Sequence, residues 1–522
     1  MESFFQKYAD RIIGSVSGLD RVVFRGTIRQ LAHCEGLQSY LDVHGLLLKE
    51  FGRHAETVSS RVKDGVKAAV EAAGRPVRYL ASPKQSKEDI AREIAERDGV
   101  SEGTIALLTC VEPCRSFVVY RSRSEKRIEL RSVWRKCLFL YRYFIDPEVG
   151  FGHARIQSWF PFYVQVGLNG REWLGRQMDR EGIGYCRRDN CFTHIDDVGR
   201  ARELLKEQLR TDWPALLGRL HRELNPVHDE MFGSFRAPYY WSTYQSEWAS
   251  DVMFRDAQSL AELYGRWIRH GISTFGSRDV LRFLGRKVPA HRTAHQKFTG
   301  EVVSDLKQRP EGVRLKHRVK GNSIKLYDKQ GSVLRVETTI NEPGDFKVYR
   351  PKEGDEGGPK EWRKMRQGIA DLHRRCEVSN AANERYLEAL AVVDEDTALG
   401  ELLDDACKPV RKWGRRFRAL RPWEAGDLEL LQAIGRGEFA INGFRNAGLR
   451  RLLYETEPRT GREARRRSAA TSRRLRLFRA HGLIRKVPRT HRYQLTRLGR
   501  SLASALRAAH EASTAKLMQM AA

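Results

Sequence analysis

The sequence predicts an α+β protein whose body is an antiparallel sheet flanked by helices. Two stretches, residues 116–169 and 312–350, contain short runs of alternating apolar and polar residues separated by turn signals. The segments around them carry apolar residues at helical spacing. No internal repeat is evident, so we expect several different units rather than a repetitive array.

The N-terminal region, residues 1–110, predicts a mixture of strands and helices. Arg21–Gly26 has the alternation of a short strand, and the pattern over residues 31–73 is helical. Ser86 is typical of a helix start, because a serine side chain accepts a hydrogen bond from the first helical N–H groups. Gly103–Cys110 is typical of a buried strand.

The next region, residues 111–230, predicts an antiparallel meander followed by a helix. Turn signals such as Asp146-Pro147 and Gly150 divide the chain into short strands. The predicted strands are Phe117–Ser122, Arg127–Val133, Leu138–Phe144, His153–Phe160 and Phe162–Leu168. Asn169-Gly170 ends the run, and Arg171–Met178 has a helical pattern.

Residues 231–350 predict an aromatic helix followed by a second β-meander. The helix is expected over Tyr239–Glu247. The strands are expected over Val313–Val319, Ile324–Lys329 and Val333–Ile340, with Gly321-Asn322 as a hairpin turn. Residues 351–410 predict a linker and connecting helices, and residues 411–522 predict a separate basic domain.

Charge is concentrated at the C-terminal end of the chain. The 522 residues carry 94 Lys and Arg against 66 Asp and Glu, a net charge of +28. From Arg411 onward there are 27 basic and 8 acidic residues, a net charge of +19. Such a surplus favours a polyanionic partner, DNA or RNA, and argues against a protein that handles small neutral metabolites.

The amino-acid composition also indicates the cellular compartment of the protein. Eight cysteines are too few for a disulfide scaffold. No run of about 18 apolar residues indicates a membrane helix, and the first residues lack the pattern of a signal peptide. We therefore expect a cytoplasmic protein with no membrane partner, and the sequence leaves its oligomeric state open.

The basic C-terminal domain has the element order of three helices and a two-stranded ribbon. Helices are predicted after Pro422, after Asn442 and after Ser468 or Thr471. Gly482 ends the third helix, and Leu483–Val487 and Arg492–Thr496 form the ribbon. The segment from His481 to Gly499 resembles the recognition-helix end and wing of MarR-type repressors, which implies a C-terminal winged helix-turn-helix.

This resemblance implies specific DNA contacts. The third helix would enter a major groove, and the wing would rest on the backbone or the minor groove. The implied contacts are Arg473, Arg474, Arg476 and Arg479 on the helix, with Arg489 and Arg492 on the wing. The alternative is a winged helix that makes only protein contacts.

The second β-meander carries a candidate catalytic set. Strand alternation places Tyr327 and Lys329 on one face of a strand, and Arg335 and Glu337 on one face of the next. Cations, a phenol and a carboxylate that converge can hold a phosphate and a divalent metal together. The segment resembles one in rolling-circle replication initiators. The alternative is a solvated sheet face with cross-strand ion pairs.

That second resemblance also implies a metal site and a tyrosine nucleophile. The initiators carry two histidines spaced i, i+2 on a strand, whereas here a strand offers His153 and Gln157. We take His153, Gln157 and Glu337 as candidate ligands for Mg²⁺ or Mn²⁺, which accept oxygen ligands. The single histidine departs from the initiator pattern and weakens the nickase interpretation.

An aromatic segment supplies the candidate nucleophile. On the predicted helix, Tyr240 and Tyr244 share a face, and Tyr244 is taken as a catalytic candidate. Glu247 and Asp251 repeat the spacing and can share a metal. The alternative is that these aromatic residues pack in a core or stack on bases.

Short sequence segments along the whole chain resemble those of a widespread bacterial family of mobile-element-like proteins. Members of that family are commonly labelled as winged-helix regulators. The segments include Asp20–Gly26, Trp159–Phe162, Asn169–Trp173 and Lys316–Val319. Three hypotheses follow: a metal-dependent DNA-processing protein that nicks or transfers strands, a transcription regulator, and a structured-RNA-binding protein without catalysis. The first is preferred, although the sequence leaves open whether the protein is an enzyme.

Overall fold

The computed structural model describes most of the chain. The described residues are 2–122, 127–233, 235–286, 302–309, 312–352, 354–355, 357–391, 399–435, 439, 443–454, 456–487 and 490–513.

Helices occur along the whole chain. In chain order they are α1 (Glu2–Lys7), α2 (Cys34–Val43), α3 (Phe51–Ala72), α4 (Lys87–Arg97), α5 (Gly170–Glu181), α6 (Val198–Gln208), α7 (Trp213–Leu224), α8 (His228–Phe232), α9 (Ala257–Thr274), α10 (Ser277–Phe283), α11 (Leu372–Leu390), α12 (Leu399–Ala406), α13 (Ala425–Ile434), α14 (Asn446–Leu453), α15 (Gly461–Ala480) and α16 (Arg497–Glu511).

Strands alternate with these helices. They are β1 (Ile12–Ile28), β2 (Val77–Leu80), β3 (Gly103–Ser122), β4 (Arg127–Asp146), β5 (Gly150–Gln157), β6 (Val164–Asn169), β7 (Tyr185–Arg188), β8 (Cys191–Ile195), β9 (Tyr239–Phe254), β10 (Val302–Arg309), β11 (Gly312–Val319), β12 (Asn322–Lys329), β13 (Val333–Ile340), β14 (Lys347–Arg350), β15 (Glu361–Lys364), β16 (Val410–Lys412), β17 (Arg415–Phe417), β18 (Ile484–Lys486) and β19 (Tyr493–Leu495).

The chain divides into two units. The central unit contains Gly14–Met253 and Glu337–Asn380, and the terminal unit contains Met1–Ile13, Phe254–Val336 and Ala381–Ala522. Within the central unit the strand order is β13-β9-β1-β6-β5-β4-β3-β2. Within the terminal unit it is β10-β11-β12-β13.

The α+β class is confirmed, but the sheet is mixed rather than antiparallel. The pairs that join β1, β6, β5, β4 and β3 are antiparallel, as the sequence predicts. Strand β2 instead runs parallel to β3. The reason is its connection: α4 lies between the two strands, and parallel neighbours need such a crossover. The short strand β2 has no clear alternation and was not predicted.

The predicted aromatic helix is also wrong, because Tyr239–Phe254 is the strand β9. Trp241 and Thr243 are buried, whereas Tyr240 and Tyr244 are exposed, as a period of two requires. Tyrosine, tryptophan and threonine favour strands, and residues spaced i, i+4 share a face of a strand as well as a face of a helix.

One side of the central sheet is covered by helices that supply its core. Phe24 on β1 packs against Trp213 at the start of α7, with the ring centroids 5.2 Å apart. Arg171 in α5 and Asp251 in β9 form a completely buried ion pair, with 2.9 Å between guanidinium nitrogen and carboxylate oxygen. Arg171 also donates to the carbonyl of Ala249.

Removal of Asp251 is expected to destabilise the protein strongly. The change Asp251→Ala leaves the guanidinium of Arg171 buried without its counter-charge, which lowers the free energy of unfolding by about 3–5 kcal/mol. Urea unfolding followed by circular dichroism measures the change. The control Glu203→Ala, which removes an exposed partner of Arg200, is expected to leave the transition unchanged. Equal transitions for both variants would contradict the expectation.

The C-terminal part of the terminal unit has its own core. Helices α13 to α16 and the hairpin β18–β19 surround buried apolar residues such as Leu430, Phe444, Phe478 and Leu502. Helix α15 is longer than predicted, because Thr460 caps it by accepting a hydrogen bond from Glu463. Ser468 and Thr471 therefore lie inside the helix and are not caps, and the predicted cap Asn442 lies outside the described residues.

Among the described helices, none has both the length and the apolar character that crossing a membrane requires.

Candidate functional site

Three carboxylates from three neighbouring strands meet in the central unit. Asp20 lies on β1, Glu247 on β9 and Glu337 on β13, and one oxygen of each lies within 4.8 Å of the others. Asp20 and Glu337 are 2% exposed. Within the part of the chain that the structure describes, this is the group of acidic, histidine or cysteine side chains with metal-binding geometry. We refer to it as the carboxylate trio.

Asp20 is held in place by two neighbouring elements. Both of its carboxylate oxygens accept hydrogen bonds of 3.0 Å from the side-chain amide of Asn190, which lies between β7 and β8. At the start of α5, Asn169 caps the helix and accepts from the Arg171 N–H. Gly170 then allows the helix to approach β1, since a Cβ at this position would overlap the carbonyl oxygen of Leu19. The Asn169-Gly170-Arg171 sequence thus fixes the backbone next to Asp20.

Arg21 is the cation associated with the trio. Burial alone would lower the pKa of its guanidinium, but the negative charges of Glu247, Glu88, Asp20 and Glu337 outweigh burial and raise it. A permanently positive side chain therefore lies within electrostatic reach of all three trio carboxylates.

This arrangement has the donor chemistry of a Mg²⁺ or Mn²⁺ site. Both ions prefer oxygen ligands, and a small set of carboxylates completed by water and phosphate oxygens is typical for Mg²⁺. Clustered carboxylates can also hold two such ions side by side, as in enzymes that transfer phosphoryl groups. The trio therefore offers the oxygen donors of a divalent-metal site.

Glu337 is the member of the predicted catalytic hairpin that joins the trio. On β12, Tyr327 and Lys329 are 8% and 6% exposed, and the Lys329 ammonium lies 6.0 Å from the Tyr327 ring centroid. Arg335 is completely buried. Tyr327 is thus a core side chain rather than an open nucleophile.

The predicted metal set of His153, Gln157 and Glu337 does not form one site. Strand β5, which carries His153 and Gln157, is four places from β13, a distance of about 19 Å at 4.8 Å per strand. The Gln157 amide nitrogen donates to three carbonyls, those of Arg115, Trp159 and Phe160, and so anchors a loop.

His153 is held in its neutral form. Its pKa is lowered to about 4, first because surrounding protein removes water from the ring and then because nearby cations, including Arg155 and Arg21, repel a further positive charge. The ring covers Gly167 on β6, where a Cβ would overlap it. Neutral imidazole suits softer metals, but the trio that supplies hard oxygen ligands lies elsewhere.

The predicted carboxylate pair Glu247 and Asp251 is also divided. Asp251 is committed to the buried ion pair with Arg171, and Glu247 joins the trio instead. Tyr244, the predicted nucleophile, is 47% exposed on β9, and the Arg25 guanidinium lies 4.4 Å from its ring centroid. Asp20 was not predicted as a metal ligand, because no ligand spacing marks it within the segment Asp20–Gly26.

The C-terminal arginines that were predicted to contact DNA differ in their exposure. Arg473, Arg476 and Arg479 are exposed on α15. Arg474 is half-buried. Burial of Asp427 would raise the pKa of that carboxyl, but neighbouring groups that include Arg474 lower it. Arg492 on the ribbon is half-buried, and Arg489 lies outside the described residues. The longer helix adds three exposed arginines that were not predicted: Arg462, Arg465 and Arg466.

A second basic element lies beside α15. The hairpin β16–β17 exposes the cations Arg411, Lys412, Arg415 and Arg416. Trp413 at its turn is 55% exposed, and the Arg479 guanidinium lies 4.8 Å from the indole ring. The hairpin and the helix thus form one basic surface, which we call the α15 surface.

The protein is thus a mixed α+β chain that contains a buried carboxylate trio and a separate arginine-rich surface. Comparison of the chain with protein-family models, with curated proteins and with solved structures finds no match.

Proposed function

We propose that the protein is a metal-dependent DNA-processing protein of a mobile genetic element that nicks or transfers strands. The observation that carries the proposal is the carboxylate trio on β1, β9 and β13. The net charge of +28 supports a polyanionic substrate.

The roles of the residues follow from their chemistry. Asp20, Glu247 and Glu337 would hold Mg²⁺ or Mn²⁺, which polarises a phosphoryl oxygen and activates the attacking group when bound. Arg21 would add a positive charge within electrostatic reach of the trio, which favours an anionic substrate. Asn190 and Gly170 keep the Asp20 carboxylate in position.

The C-terminal elements support a winged helix as the part that finds the DNA site. Three helices, α13 to α15, precede the hairpin β18–β19, and Gly482 ends α15 with a positive φ of 73°. In such a domain the exposed arginines of α15 would lie in a major groove. The hairpin β16–β17 would then reach the neighbouring backbone.

A second candidate function, binding without catalysis, is favoured by one observation. The α15 surface is exposed and basic and belongs to the terminal unit, so it does not depend on the trio. A transcription regulator or a structured-RNA-binding protein would use this surface alone.

A cleavage assay separates the two candidates. Labelled single-stranded and double-stranded DNA from the flanks of the gene is incubated with the protein and Mg²⁺, Mn²⁺ or EDTA. We expect nicked products or a protein–DNA adduct with either metal and none with EDTA. Salt-sensitive binding without cleavage under all three conditions would contradict catalysis and leave a regulator or an RNA partner, which nuclease treatment of co-purified material distinguishes.

A further inference from the structure

One face of the central sheet combines exposed tyrosines with arginines. Antiparallel partners lie on the same face. The register therefore places Arg25 of β1 beside Gln165 of β6, and Gln165 beside Arg155 of β5. Two residues closer to Arg21 on the same face of β1, Val23 lies beside Gly167 of β6, and Gly167 lies beside His153 of β5.

This face is opposite the core that contains α7. Phe24 contacts Trp213 of α7, and the neighbouring residues Val23 and Arg25 therefore point away from that helix. Along the same face, Arg155 lies beside Tyr141 of β4, and Tyr141 packs with α4. Helix α4 thus covers the face at β4 and β3, whereas Val23, Gln165 and Arg155 remain partly exposed.

Two arginines of this region lie against tyrosine rings. The Arg25 guanidinium is 4.4 Å from the ring centroid of Tyr244, and that of Arg29 is 3.6 Å from the ring centroid of Tyr240. Tyr163 lies on the other side of Arg25, at 6.0 Å. We call Arg25, Arg29, Tyr163, Tyr240 and Tyr244 the arginine–tyrosine face.

The charges on this face are available to a ligand. Arg25 and Arg29 have tyrosine neighbours but no acidic partner within the described part of the chain. Arg155, by contrast, is paired with Glu112 at 3.0 Å. Two cations without counter-ions, held in fixed positions by aromatic rings, favour an anionic ligand with flat groups of its own.

The arginine–tyrosine face and the carboxylate trio lie on opposite sides of the sheet. Arg21 and Arg25 lie on one side of β1, whereas Asp20 lies on the side of Phe24, which is covered by α7. The face is therefore a separate surface from the site where the metal is proposed.

We propose that the arginine–tyrosine face binds unpaired, single-stranded nucleic acid. The inference goes beyond the proposed function, because this face and the trio lie on opposite sides of the sheet. Bases stack on the tyrosine rings and guanidinium planes, and phosphates pair with Arg25 and Arg29. A duplex offers no base faces along its length, so this surface discriminates against it.

Fluorescence anisotropy with a labelled 15-nucleotide oligothymidine in EDTA tests the inference without catalysis. The double variant Tyr240→Ala, Tyr244→Ala is expected to bind at least about tenfold more weakly, since stacking on each aromatic ring contributes substantially. The double variant with phenylalanine at both positions keeps the rings and is expected to bind like wild type. Arg29→Glu, a change of one exposed side chain, is expected to weaken binding as well.

One further double variant assigns the effect to this face. Arg473→Ala with Arg476→Ala, on the α15 surface, is expected to reduce binding of a blunt 20-base-pair duplex but to leave oligothymidine binding unchanged. Oligothymidine affinity equal to wild type in both the alanine variant and Arg29→Glu would overturn the inference, even if cleavage occurs. Weakened binding in those variants without metal-dependent cleavage by wild type would uphold this inference and contradict the proposed function.

Discussion

Replacement of Glu337 by glutamine is expected to abolish metal-dependent cleavage. The substitution keeps the shape of the side chain and removes the negative charge from the trio that Glu337 forms with Asp20 and Glu247. A metal ion supplies several kcal/mol of charge stabilisation to the transition state, and each 1.36 kcal/mol is a factor of ten in rate. We therefore expect a loss of about 1,000-fold or more, measured as the initial rate of nicking in Mg²⁺ and Mn²⁺.

Two further variants serve as comparisons for Glu337→Gln. Asp20→Asn removes a second carboxylate of the trio and is expected to cause a similar loss. Glu102→Gln changes an exposed carboxylate before β3 and is expected to leave the rate unchanged. A Glu337→Gln protein that nicks at the wild-type rate would show that the trio is only structural.

The second large effect is expected on the α15 surface. Arg473 and Arg476 are exposed and lie on one side of the helix, where contact with phosphates releases counter-ions. Arg473→Glu with Arg476→Glu replaces attraction by repulsion, so we expect duplex affinity to fall about 100-fold at 0.1 M salt. The slope of log affinity against log salt concentration is expected to become shallower by about two units, one for each contact.

A control with the same net charge distinguishes local contacts from the overall field. Arg210→Glu with Arg222→Glu places the same charge change on exposed positions of the central unit. We expect at most a small change in affinity from this pair. An equal loss in both double variants would indicate that the duplex is held by the total charge of the protein and not by α15.

Local chemistry made much of the fold predictable. The serine at position 86 caps α4 through its hydroxyl, as predicted, because this interaction depends only on residues within one turn. The strands β11, β12 and β13 follow from alternation and from turn residues in the same way. Errors arose where the pattern has two readings, as in β9, or where a strand is as short as β2.

The site was only partly predictable for a different reason. Glu337 and Glu247 were both singled out as candidate metal ligands, but each was paired with the wrong partner. Sequence shows which residues share a face of one strand, yet the order β13-β9-β1 depends on which distant strands become neighbours. Asp20 carries no local signal of a metal ligand, and its place in the trio follows only from that strand order.

The spacing of the trio along the chain also constrains when the site can form during synthesis. Strand β1 leaves the ribosome early, but it cannot contribute to a complete site until the chain has been made through β9 and then β13. Contacts between such distant segments form slowly, because long loops must close before the contact is made. A nascent or truncated chain that ends before residue 337 lacks the third carboxylate, so metal-dependent cleavage would report on completed folding of the central unit.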